Sequence, residues 1–317
     1  MSVAEYYRDS SGFWRTRRPR LRGLVLSGSS QSLQQQVRTS PKMRSEFPRR
    51  ATPISGRLQG FLLLVFTCSH SDWFHPKADE WRDEAWGIIK QCPNIIFQIL
   101  TKRPERISDH LPADWGSGYP NVWLGVSVEL QQYTTRMDIL REIPCALRFV
   151  SGEPQLGPIT WNLNGYGWLI DGGESDMHSA RPAKPEWFLS NRDQCLAAQV
   201  PYFHKQNGST KQCECHGVWG CSLLDGKIYD AMPQSIHLDE KMRTTHIGWT
   251  LRSWNPFYGC DRVSPGCKHC YCLDRAMKRL GVPEGEVRRS KTRFYDPLRW
   301  QRKLERNSLV LPKVSST

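Results

Sequence analysis

The stretch that decides the fold is 95–129, IIFQILTKRPERISDHLPADWGSGYPNVWLGVSVE. It opens on IIFQILTK (95–102), a nearly continuous apolar run of the kind found in strands covered on both faces. The run stops at Thr101-Lys102-Arg103. Pro104 follows at what reads as the first turn of a helix over 104–111. A second apolar run, VWLGVSVE (122–129), ends on Ser127-Val128-Glu129. Strand, polar end, helix and strand again is the rhythm of parallel βα units.

The same rhythm extends in both directions. FLLLVFTC (61–68), LRFVSGEP (147–154), GWLIDGGES (167–175) and PYFHKQ (201–206) read as further strands. Between them, 78–91, 131–142 and 184–198 read as helices, and Trp81, Ala85, Ile88 and Ile89 fall near one face of the first. The predicted fold class is α/β, a partial or closed parallel β/α barrel. In such a barrel the C-terminal strand ends line one mouth, where active sites sit. Here those ends hold Lys102, Arg103, Glu129, Glu153, Glu174, His204 and Lys205. Trp73, Trp123 and Trp168 lie beside them and read as core residues or as platforms for a base.

Charge divides the chain. Residues 1–60 hold 12 Lys/Arg against 3 Asp/Glu, residues 273–317 hold 12 against 5, and the middle holds 20 against 23. A uniformly basic nucleic-acid domain does not have this pattern. Residues 1–60, with SGSSQSLQQQ at 27–36, read as a basic, low-complexity, disordered tail. Residues 61–233 read as barrel core, 234–245 as a linker and 301–317 as a flexible tail. The longest apolar run, Phe61 to Phe66, is too short to span a bilayer. The N-terminus carries no apolar signal segment. A cytoplasmic protein with no membrane partner is expected.

Eleven cysteines in such a setting point to metal or chemistry rather than disulfides. Cys68, Cys92, Cys145 and Cys195 are scattered in or beside apolar segments and read as buried thiols. Cys213, Cys215, His216 and Cys221 sit in an irregular region and read as a surface loop or an accessory zinc site. The sharpest motif is Cys260, Cys267 and Cys270, spaced C-x6-C-x2-C within TLRSWNPFYGCDRVSPGCKHCYC (250–272). The Ser264-Pro265-Gly266 turn lets Cys260 fold back on the other two. Three thiolates hold three irons of a four-iron four-sulfur cluster and leave one iron open. Zinc, closed by His269 or Cys272, is the alternative from spacing alone. Cys272, at the start of a helix over 271–281, is expected to point away from the other three.

WNPFYGCDRVSPGCKHCYC, with FYDPLRW at 294–300, resembles the opening segment of an uncharacterised, phage-associated family of radical-S-adenosylmethionine-like proteins. CSHSDWFH (68–75), FQILTKRPERI (97–107), NVWLGVSVE (121–129), RFVSGEPQLGPI (148–159), WLIDGGES (168–175) and RDQCLAAQVPYFHKQNG (192–208) resemble its remainder. The family runs in the other order, cysteine segment first, so the chain resembles a circular permutation or rearrangement of it. The resemblance implies a radical-S-adenosylmethionine (TIM-type) barrel. Residues 246–300 would complete it by docking on the strand that begins at Phe61. It also implies a cluster on Cys260, Cys267 and Cys270.

The function expected is therefore that of an iron–sulfur enzyme that cleaves S-adenosylmethionine. Its substrate would be a nucleic acid or nucleotide, by analogy, and a flavodoxin or ferredoxin would supply electrons. Lys102, Glu129, Glu153 and Lys205 are the candidate catalytic residues. Gly172-Gly173-Glu174 is the candidate cofactor-binding turn, since glycine admits close backbone approach and a carboxylate accepts from an ammonium. The alternatives are a non-catalytic zinc or iron–sulfur protein whose basic tails contact nucleic acid, and a degenerate rearranged family member.

Overall fold

The computed structural model describes residues 5–8, 14–17, 63–214, 218–233 and 242–310. Glu5–Arg8 (β1) and Trp14–Arg17 (β2) pair antiparallel within a unit separate from the remainder. The rest of the expected 1–60 tail lies outside the described residues, as do Cys215, His216 and most of the 234–245 linker.

Among the described residues, seven strands form one parallel sheet curled into a half-barrel. They are Leu63–Thr67 (β3), Ile95–Thr101 (β4), Val122–Ser127 (β5), Leu147–Gly152 (β6), Trp168–Asp171 (β7), Tyr202–His204 (β8) and Arg252–Trp254 (β9). Their order in space is β8-β7-β6-β5-β4-β3-β9, so the barrel is partial and has two edges. β9 was not foreseen as a strand. It pairs in parallel with β3, Val65 opposite Arg252 and Thr67 opposite Trp254. The cysteine segment thus stands before β3 in space although it follows β8 in sequence, which is the docking the reversed order predicts.

Helices cover the outer face. Asp79–Lys90 (α1), Thr135–Arg141 (α2) and Pro185–Ala197 (α3) connect successive strands, and Asp296–Val310 (α5) lies beside α1. Asn94 N–H donates to the Gln301 side chain of α5 at 3.1 Å. Two expectations fail here. PERISDHL forms 3₁₀ turns at Pro104–Arg106 and Ser108–His110 rather than an α-helix. The 301–317 tail is helical through Val310.

Alternation along the strands separates two apolar layers. On the outer face Trp254 packs on Phe97 and Trp73, with ring centroids 5.5 and 5.8 Å apart. On the inner face Phe66, Gln98, Trp123 and Trp168 gather around Trp249, whose ring lies 4.6 Å from Phe66 and 6.2 Å from Trp168. Trp73, Trp123 and Trp168 are fully buried, so none of them is a platform for a base. Burying a large side chain contributes about 1.5–3 kcal/mol, and these rings dominate both layers. Gly125 is glycine because the Phe149 ring lies across it: a Cβ there would stand 2.4 Å from the ring. Among the described residues no helix is long and apolar enough to cross a membrane.

Candidate functional site

The inner-face register carries past the strand ends. Gln98 and Leu100 lead to Lys102, Gly125 and Ser127 to Glu129, Ser151 to Glu153, and Phe203 to Lys205. All four expected catalytic residues therefore sit on the concave rim, where they form two ion pairs. Lys102 Nζ donates to Glu129 Oε2 at 3.4 Å, and Lys205 pairs with Glu153.

Glu129 is fully buried. Arg136 of α2, which sequence reading missed, donates to its Oε2 at 3.0 Å and to the Ser127 carbonyl at 2.7 Å. Burial raises the pKa of Glu129, but Lys102, Ser264 and Arg136 outweigh it and hold the carboxyl below its ordinary value. Among the described residues its Oε1 has no hydrogen-bond partner. The cysteine loop lies directly on this carboxylate, and a Cβ on Gly266 would stand 3.1 Å from it. Glu129 is thus a support for the loop, whereas Lys205 and Glu153 keep side-chain exposures of 26% and 20%.

Several bonds hold the cysteine segment on the barrel. Gly259 N–H donates to the His70 carbonyl at 2.9 Å, and the Ser71 hydroxyl donates to the Gly259 carbonyl at 2.6 Å. His70 N–H donates to Asn255 Oδ1 at 2.8 Å. Phe257–Tyr258 (β10) and Arg288–Arg289 (β11) pair antiparallel and close the base of this excursion. Gly259 sits at φ 109, where a side chain would also strike the Glu286 carbonyl. Asp72 joins the loops of β3 and β4, accepting from Thr101 Oγ1 at 2.6 Å and from Lys102 N–H at 2.9 Å. Arg103 bridges it to Asp261, beside Cys260.

Cys260 is held protonated. Burial, with Asp72 adding to it and Arg103 opposing, pushes its thiol up to about 12. Cys270 moves the other way. The Cys272 thiol hydrogen-bonds to it and favours its thiolate, and Lys102 acts in the same sense. Cys272 therefore does not point away from the others; it is buried against Cys270 and within charge range of Cys260 and Cys68. Cys267 is buried, 3.8 Å from the Ser264 hydroxyl. The scattered cysteines Cys92, Cys145 and Cys195 have thiols raised by burial, as expected of core residues. Cys213 N–H donates to the Val218 carbonyl at 2.8 Å, and Cys221 N–H to the same carbonyl at 3.5 Å.

In kind, these donors suit an iron–sulfur cluster: soft thiols on one loop, one of them favoured as thiolate. Among the described residues, however, no group of three or more His, Cys, Asp or Glu side chains is arranged to hold a metal ion. A cluster would draw Cys260, Cys267 and Cys270 together on the loop.

The Gly172-Gly173-Glu174 turn has a different occupation from the one expected. Both Glu174 oxygens are taken by Arg181, whose Nε donates at 2.8 Å and whose Nη1 reaches the Pro265 carbonyl of the cysteine loop at 3.0 Å. Gly173 is glycine because the Asn207 carbonyl would lie 2.0 Å from a Cβ. Close approach of backbone to backbone accounts for that residue. A ligand ammonium at Glu174 would have to displace Arg181.

A family model described as a protein of unknown function (DUF5131) matches residues 22–233 and 244–313. No curated protein and no solved structure matches the chain. The break between the two matched segments falls where the linker was placed.

Proposed function

We propose that this chain, which belongs to the DUF5131 family, is an iron–sulfur enzyme of the radical-S-adenosylmethionine type that works at the mouth of its half-barrel. One observation carries the reading. The loop of Cys260, Cys267 and Cys270 is seated on Glu129, at the C-terminal strand ends where barrels of this kind place their chemistry. Cysteines and polar rim, far apart in sequence, thereby form one site.

Cys260, Cys267 and Cys270 would hold the cluster, which when bound supplies the electron that cleaves S-adenosylmethionine. The chain's own residues bind, orient and exclude water. Lys205 and Glu153 meet the polar groups of what enters the mouth. Arg103, Asp72 and Arg181 fix the loop over it. Lys102, Glu129 and Arg136 brace it from beneath. A reducing cytoplasm, with a flavodoxin or ferredoxin as donor, goes with this reading.

The test is anaerobic reconstitution with iron and sulfide, reduction, and assay for 5′-deoxyadenosine and methionine. Both are expected even without the true substrate. A cluster-loaded, reduced protein that forms neither sinks the proposal.

The contact of Cys272 with Cys270 favours a second reading, a closed four-thiolate zinc site without catalysis. Cys272→Ala separates the two. It leaves cluster binding intact under the first reading and abolishes metal binding under the second.

A further inference from the structure

The surface flanking the cysteine mouth differs in charge from the rest of the barrel. Residues 63–233 hold 15 Lys/Arg against 20 Asp/Glu, whereas 242–306 hold 15 against 6. Five of the six acids of the second stretch are already in ion pairs, Asp261 with Arg103, Asp274 and Glu284 with Arg262, Glu286 with Arg288, and Asp296 with Arg299, and Glu305 accepts from the Gln301 side chain at 2.9 Å. Lys268, Lys278, Arg279, Lys291 and Arg293 are left over, exposed and without an ion pair among the described residues. In the 63–233 barrel Arg82, Arg106, Arg136, Arg141 and Arg181 meet carboxylates, and the exposed Lys77, Lys184, Lys211 and Lys227 stand within an overall excess of acids.

Four of these cations, Lys268, Lys278, Arg279 and Arg293, belong to the segment that carries the cysteines. Lys268 follows Cys267 directly on the loop. Lys278 and Arg279 end the helix that winds from Cys272–Met277 into Lys278–Leu280 (α4). The Arg293 carbonyl accepts from Trp254 Nε1 of β9 at 3.2 Å, which sets that residue beside the loop of β3. Within this rim stands Tyr271, 57% exposed, its ring 6.3 Å from that of His70. An evenly solvated basic face has no use for an exposed aromatic ring between two cysteines of the mouth. A strand of phosphates with a free base does, because cations take the phosphates while a ring stacks on the base.

We propose that this face binds a single-stranded nucleic acid, its phosphates held by Lys268, Lys278, Arg279 and Arg293 and one base stacked on Tyr271, and so presents it to the cysteine mouth. A duplex keeps its bases stacked on one another and offers nothing to a single ring. The inference deepens the enzyme reading by naming its substrate class and rests on it for what happens next, but the binding itself needs no metal.

The test uses the full chain and fluorescence anisotropy, with a labelled mixed-sequence strand of about 20 nucleotides, as DNA and as RNA, over a salt series. Circular dichroism checks that each variant is folded. Wild-type protein is expected to bind both strands more tightly than the matching duplex. A Lys268→Ala/Lys278→Ala/Arg279→Ala variant should bind more weakly and lower the salt slope by about 2, since each lost phosphate contact on a single strand removes roughly 0.7. Tyr271→Ala should weaken binding about tenfold, within the range for one stacked base, with the slope unchanged.

No binding overturns the proposal. So does equal binding by the triple variant, which would place the contact on the basic N-terminal residues, and so does a Tyr271→Ala variant that binds as wild type. Measuring cluster content and binding on the same wild-type chain keeps the two readings apart. Binding by a wild-type chain that takes up no cluster leaves this proposal standing while the enzyme reading fails, and a loaded cluster without binding does the reverse.

Discussion

Glu129 is an ionised carboxylate with no exposure to water, and the interior tolerates it because Lys102 and Arg136 meet it. Removing it strands two cations under the cysteine loop. Glu129→Ala is therefore expected to cost about 3–5 kcal/mol in denaturant unfolding, the range for breaking a buried pair from one side. The pH dependence follows from its depressed pKa. Such a group contributes stability above its unfolded value, near the ordinary 4.5, and loses it as pH falls through the lower folded value. The acid limb of the wild-type stability curve should be steeper than that of Glu129→Gln; matching limbs contradict the assignment. At this scale the sequence was half legible. Period-two alternation from Gln98 and Gly125 leads outward to Lys102 and Glu129, so the shared rim was readable. Arg136 was not, because an arginine on a helix looks the same whether it faces water or a buried acid. The reason for Gly173 was not legible, since a turn glycine looks the same whether a ligand or a neighbouring backbone approaches it.

Among the elements, β5 and β6 interlock through one missing side chain. Phe149 lies flat across Gly125, and a methyl group there would overlap the ring. Gly125→Ala should destabilise the protein by about 1–3 kcal/mol, as overpacking does. Phe149→Leu in the same chain should recover part of that loss, giving a coupling that a double-mutant cycle in urea resolves. Additive effects would mean that the two residues do not share the space. The strands with long apolar runs were legible for the reason that makes them stable: burial on both faces. β9 was hidden because RSW is only three residues long and polar at two of them; its place comes from pairing with β3. The 3₁₀ turns at 104–110 were read as a helix because Pro104 starts either equally well; the Lys102 N–H just before it donates to the Asp72 carboxylate and Arg106 to the Phe74 carbonyl, and these bonds fix the turn.

Over the whole molecule the sheet runs β9, β3, β4 and onward to β8, so the segment last in sequence is first in space. Contacts across β3 and β9 do not depend on which end of the chain supplies β9. Moving residues 244–313 ahead of residue 61, with a short connection, should give a protein with the same near-ultraviolet dichroism and a similar melting temperature. A molten or unfolded product would mean that the present order is needed for the fold.

The central claim is that the cysteine loop over the barrel mouth holds an iron–sulfur cluster with an open iron. Its most direct test is the iron and acid-labile sulfide content of the anaerobically reconstituted chain, measured beside Cys260→Ala, Cys267→Ala and Cys270→Ala. About four irons and about four sulfides per wild-type chain are predicted, with loss of both in each variant. A colourless protein that holds stoichiometric zinc instead, or full iron content in any of the three variants, would contradict the account.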